Sequence, residues 1–146
     1  MPSLPDFDQA GDLPAGIHKA TLEEVFARFG ASSGQRLQIA ERLRRIHTLA
    51  TQTGQLARFV IFGSFVTDKP APNDVDIFLL MEDSFDASPL TGESAILFDH
   101  LPAQTYFGAS VFWVRRLAAL GGEEATVAYW QLKRDGGHRG IVEVKS

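Results

Sequence analysis

A chain of 146 residues is the size of one ordinary domain and is long enough to bury a single core. Apolar residues make up 45% and charged residues 22%, the balance of a soluble globular protein, and no run of about 18 apolar residues offers a membrane span. Cysteine is absent, which excludes disulfides and thiolate metal sites, and the net charge of −4 argues against a protein that wraps nucleic acid, because such a surface must displace counterions from many phosphates.

Met1 to Ile17, with Pro2, Pro5 and Pro14, reads as an extended N-terminal arm. Its acidic start lacks the basic residues and apolar core of a signal peptide, so a cytoplasmic location is expected. Residues 18–146 read as one domain, with no repeat, low-complexity tract or linker. The first helix is predicted over Leu22 to Phe29. Thr21 is its N-cap, Glu24 completes a capping box, and Gly30 ends it. Val25, Phe26 and Phe29 are its apolar stripe. A second helix runs from about Gln35 to Thr53, with Leu37, Ala40, Leu43, Ile46, Leu49 and Ala50 on one buried face and His47 beside it.

Arg58 to Phe62 is a buried strand stopped by Gly63. Thr67 to Asn73 contains Pro70 and Pro72 and is a loop. Asp74 to Met81 is a second strand, apolar enough to be covered on both faces. Glu82 to Gly92 is polar and turn-rich, and Ser94 to Phe107 is ambiguous, with a helix expected in its second half. Ser110 to Arg115 is a third strand, Glu123 to Lys133 a last helix and Ile141 to Lys145 a last strand. Two helices followed by alternating strands and helices predict an α/β or α+β domain with one mixed β-sheet flanked by helices.

The chemistry concentrates between Phe59 and Leu80. On a strand, residues i and i+2 project from the same face, roughly 6.5–7 Å apart, so Asp74 and Asp76 stand side by side. Parallel carboxylates repel one another unless a cation lies between them, and Mg²⁺, which takes oxygen ligands and shares them with phosphates, suits such a pair. Gly63 after a buried strand lets a ligand approach the backbone, and Ser64, if it opens a short helix, adds a hydroxyl and free backbone N–H groups suited to phosphate. Lys69, in the intervening loop, is within reach of a phosphate. Arg134, His138 and Arg139 flank a Gly136-Gly137 turn and either close over a phosphate tail or decorate a hairpin. Phe112, Trp113, Tyr129 and Trp130 are expected in the core.

The order Ile61-Phe62-Gly63-Ser64, a spacer, then Asp74-Val75-Asp76-Ile77 resembles the signature of the nucleotidyltransferase superfamily, which includes DNA polymerase beta, aminoglycoside nucleotidyltransferases and minimal nucleotidyltransferases. About twenty-five residues carry the resemblance. The stretches LPAGIHKATLEEVFARFG and YWQLKRDGGHRGIVEV also resemble an uncharacterised group of small bacterial proteins of that fold. The resemblance implies a nucleotidyltransferase-like sheet. It implies Gly63 and Ser64 as nucleotide-binding residues, to which the loop position of Lys69 adds a further candidate whose alternative is a solvated loop lysine. It implies Asp74 and Asp76 as catalytic ligands of Mg²⁺ or Mn²⁺. The implied reaction moves a nucleoside monophosphate, with AMP from ATP the expected case, to a protein or small-molecule acceptor. Members of the superfamily carry a third acid on a neighbouring strand. The corresponding strand here holds Ser110, so Asp99 is the expected third catalytic acid. The alternative is a fold whose site has decayed into a binding or regulatory protein, such as a toxin–antitoxin component.

Overall fold

A computed structural model describes residues 4–145. The first three residues of the expected arm, and Ser146, lie outside the described residues.

Five strands form one mixed sheet: β1 (Ile17–Ala20), β2 (Leu56–Phe62), β3 (Val75–Met81), β4 (Ala109–Arg115) and β5 (Ile141–Val144). Their spatial order is β1-β5-β2-β3-β4, so β2 is central. The outer pairs β1/β5 and β3/β4 are parallel, and the inner pairs β5/β2 and β2/β3 are antiparallel. The helices are α1 (Leu22–Phe29), α2 (Gly34–Gln52), α3 (Gly92–Leu97), α4 (His100–Phe107) and α5 (Glu123–Tyr129). The domain is thus of the α/β class, a mixed sheet flanked by helices. No helix among the described residues is long and apolar enough to cross a membrane.

The alternation of side chains along the strands divides the core in two. Val75, Ile77, Leu79 and Met81 of β3, with Val111 of β4 and Phe59 and Ile61 of β2, face a large core shared with α1 to α4. Val60, Phe78, Leu80 and Ile141 face the other way, against Val127 of α5 and the partly buried Phe62 and Trp130. Four helices therefore cover one face and a single short helix covers the other.

The helix signals act as physics requires. The Thr21 hydroxyl accepts from the Glu24 N–H at 3.1 Å and the Glu24 carboxylate accepts from the Thr21 N–H at 3.0 Å, so α1 begins with a reciprocal capping box. Ser33 caps α2 in one direction, its hydroxyl accepting from the Arg36 N–H at 3.2 Å. Several expectations are corrected. Leu37 is 53% exposed and lies outside the buried face of α2, which is built from Arg36, Ile39, Ala40, Leu43 and Ile46. Tyr129, at 62% exposed, is not a core residue. The helix expected in the second half of Ser94 to Phe107 is α4, and the first half also holds most of α3, which begins at Gly92; α5, expected to reach Lys133, stops at Tyr129 because residues 132–138 turn back as a hairpin, with the Lys133 N–H donating to Gly137 O at 2.7 Å. Residues 4–16 hold neither helix nor strand, yet they are packed down: Leu4 and Leu13 are buried in the large core, and Ile17 already belongs to β1.

Candidate active site

The centre of the site is a close approach between two strands. Phe62, the last residue of β2, pairs with Asp76 on β3, and the chain then turns sharply at Gly63, where φ is +79°. A Cβ at Gly63 would lie 2.1 Å from Asp76 Oδ2, so no other residue fits there while that carboxylate keeps its place. The glycine thus supplies both the left-handed backbone and the space for Asp76.

Ser64–Val66 forms a short 3-10 turn, stabilised by the Thr67 hydroxyl donating to Ser64 O at 2.6 Å and accepting from the Lys69 N–H at 3.2 Å. Beneath the loop lies Arg36, 3% exposed. Its guanidinium donates to Phe29 O at 3.0 Å, Phe65 O at 2.8 Å and Thr67 O at 2.9 Å, and also to Lys69 O. Burial pushes the Arg36 pKa down, against the attraction of Asp68, which raises it. One side chain of α2 therefore ties the end of α1 to the loop that carries Ser64 and Lys69.

Asp74, just before β3, and Asp76 both line a cavity of about 740 Å³ together with Ser64, Lys69 and Ser110. Asp76 shares its sheet face with Phe78 and Leu80, the thinly covered face. Burial, and then the neighbouring Asp74 charge, push the Asp76 carboxyl up to about 6, while the Ser110 hydroxyl bonded to it and the Arg139 and Arg134 charges pull in the other direction. Ser110 is the register partner of Asp76 on the parallel strand β4.

The expectation for Asp99 is corrected. Asp99 is exposed at the N-cap of α4 and does not line the cavity. The α4 residue that does is Gln104, five positions further on, which is about 7 Å along a helix axis. Among the described residues, no three His, Asp or Glu side chains are grouped as a metal cage. The hydroxyl of Ser110, on the neighbouring strand, is bonded to Asp76.

Sequence reasoning missed two groups. Arg36 had a readable signal: positions 36, 40, 43 and 47 share a helical face, so a cation sits within the buried stripe. Asp12 had none. It lies in the segment read as an arm, yet it is 6% exposed, pairs in an isolated bridge with Thr67, and lines the cavity. Its carboxylate meets Lys133 Nζ at 3.2 Å and Arg139 at 3.6 Å. Arg134 and Arg139 line the same cavity, so the hairpin faces the two strand carboxylates.

These features define an α/β domain with a charged cleft at the end of its central strands, where Asp74 and Asp76 share the walls with Lys133, Arg134 and Arg139. The chain belongs to a family of unknown function, DUF6932, which matches residues 5–145. No curated protein and no solved structure matches it.

Proposed function

We propose that this protein is a nucleotidyltransferase of the superfamily its Gly-Ser and Asp-x-Asp motifs resemble. In this reading it binds ATP with Mg²⁺ or Mn²⁺ in the cleft and transfers AMP to a protein or small-molecule acceptor. The observation that carries this reading is the meeting of Ser64, Asp74 and Asp76 around one cavity, with the adjoining Gly63 making room for the Asp76 carboxylate. The donor set fits a hard divalent cation: two mutually repelling carboxylates, one of them held partly desolvated with its acid form favoured, line one cavity, and the Arg139 and Arg134 charges that act on Asp76 offset that repulsion only in part.

In this reading Asp74 and Asp76 would hold the metal, which would supply charge neutralisation to the phosphates there. The Ser64 hydroxyl donates to a phosphate oxygen, and Lys69 pairs with the phosphate tail. Arg36 fixes the loop from which both project. Catalysis then rests on positioning and charge complementarity, without a covalent enzyme intermediate.

One observation favours the second reading, a binding or regulatory protein with a decayed site: Ser110, rather than an acid, is paired with Asp76. Binding is common to both readings and is tested first. ATP with Mg²⁺ is expected to raise the melting temperature, and EDTA to remove most of the gain, because a ligand that binds only the folded state stabilises it. Asp74→Asn is expected to abolish the metal-dependent part. An equal, metal-dependent gain in Asp74→Asn would count against the carboxylate pair as the metal site.

A further inference from the structure

The Asp12 carboxylate has no obvious reason to be where it is. It is buried at the wall of the cavity, held by one contact from Lys133 at 3.2 Å and one from Arg139 at 3.6 Å, neither of them bidentate. Both cations line the cavity, as does Arg134 beside them. The segment that delivers Asp12 is fastened locally: the Asp8 side chain accepts from the Asp12 N–H at 3.1 Å, and Gly11 O accepts from the Asp68 N–H at 2.9 Å. Gly11 is pressed against Asp68 so closely that a Cβ there would lie 2.0 Å from Asp68 Oδ1. A left-handed glycine, with φ of +82°, thus turns the chain so that the next residue places its carboxylate between the hairpin cations.

We propose that Lys133, Arg134 and Arg139 form an anion subsite for the phosphate tail of the ligand, opposite Asp74 and Asp76, and that Asp12 fills it as an internal competitor which the ligand must displace. A carboxylate carries one negative charge and here reaches each cation with a single oxygen. A pyrophosphate group carries more charge and more acceptor oxygens, and it satisfies the same donors with a greater gain. The bound tail leaves Lys133 and Arg139 paired, so neither cation is stranded by the exchange. Displaced Asp12 returns to water together with the residue 8–12 segment. The N-terminal segment therefore lowers affinity for phosphate ligands and raises selectivity for those with several charges over those with one.

The proposal rests on the reading above for the class of ligand, but its test uses no metal. Inorganic pyrophosphate is titrated into the full chain in EDTA, with ATP in EDTA as a second arm. Asp12→Asn keeps the shape and removes the charge. It is expected to tighten pyrophosphate binding by about tenfold, the size of one charge-assisted hydrogen bond. Arg139→Gln is expected to weaken binding by a similar factor. Equal affinities for pyrophosphate and ATP identify the phosphates alone as the recognised group, and a tighter ATP adds a contact from the nucleoside; both support the subsite. Unchanged or weaker binding by a folded Asp12→Asn, or binding indifferent to Arg139→Gln, overturns it. Hydrogen exchange on the wild type gives an answer even if Asp12→Asn fails to fold. The amides of Asp8, Gly11 and Asp12 are expected to exchange faster when pyrophosphate is bound, whereas slower or unchanged exchange would mean that Asp12 is not displaced. A positive result here, without Mg²⁺-dependent stabilisation by ATP, supports the anion subsite and counts only against the metal reading.

Discussion

Asp76 is subject to opposing demands. The sheet register holds it against Gly63 and Ser110, on a face otherwise given to Phe78 and Leu80, and burial there favours its neutral form. The adjacent Asp74 charge pushes in the same direction, and the carboxyl is raised to about 6 from 3.8. Between those two values the folded protein holds a proton that the unfolded chain has released, so stability falls as pH rises through this window and levels off above about 6. Other carboxylates titrate over the same range, so the informative quantity is the difference between wild type and Asp76→Asn in EDTA. The variant is expected to match wild type near pH 4 and to be more stable by about 1–2 kcal/mol at pH 8, after discounting for water in the open cavity. Thermal unfolding across pH measures it. A difference that does not change with pH would mean that Asp76 is solvated like a surface acid.

At the scale of elements, the loop after β2 is defined less by its own sequence than by α2. Arg36 gives its donors to four backbone carbonyls, three of them in the segment 65–69, and is paired with no carboxylate. Arg36→Met removes those donors and leaves buried oxygens unpaired. The expected loss is about 3 kcal/mol or more, which for a chain of this size lowers the melting temperature by about 10 °C. Calorimetry reading a loss below about 1 kcal/mol would show that water replaces the guanidinium and that the loop is held by other contacts. The same elements show what sequence can and cannot disclose. The capping box of α1 and the strands on either side of Gly63 were legible because their signals are local: a hydroxyl and a carboxylate three residues apart, or an apolar run ended by glycine. Strand β1 was not. Its four residues, IHKA, pair with β5, some 120 residues away in the chain, and three of them are half-buried at best. Helix α5 was read too long because its pattern runs on into Leu132 and Lys133, where pairing with His138 and Gly137 wins over helical continuation. Asp99 lies outside the cavity for a related reason: only the packing of α4 decides which end of that helix reaches it, and that end carries Gln104.

At the scale of the whole molecule, the unequal covering of the sheet creates the site. Helices α1 to α4 close one face, while α5 closes only part of the other, over Val60, Phe78 and Leu80. Toward Asp76 and Ser110 that cover ends, and the hairpin and the N-terminal segment form the walls of an open cavity instead. Whether this cavity transfers a group or only binds one turns on the acids grouped around Asp76, where Asp74 is one neighbour and β4 supplies Ser110 rather than a further acid, and Ser110→Asp tests this directly. The register of β3 and β4 puts the new carboxylate beside Asp76. In EDTA a third like charge is expected to lower stability, since nothing cationic is added to offset it. With Mn²⁺ the order is expected to reverse: affinity for the metal rises about tenfold or more as the number of charged oxygen ligands grows, and the variant becomes the more stabilised protein. Calorimetric titration of Mn²⁺ reads the first effect and thermal unfolding the second. Pyrophosphate release from ATP, followed in the presence of candidate acceptors, then separates the two functional readings. Release by wild type, dependent on Asp74 and indifferent to Asp99→Asn, marks a transferase that works with two acids. Release only by Ser110→Asp marks a nucleotide-binding protein in which Ser110 stands in place of the third acid. Should Ser110→Asp bind Mn²⁺ no better than wild type, the carboxylates of β3 are not a metal site, and the nucleotidyltransferase reading loses its chemical basis.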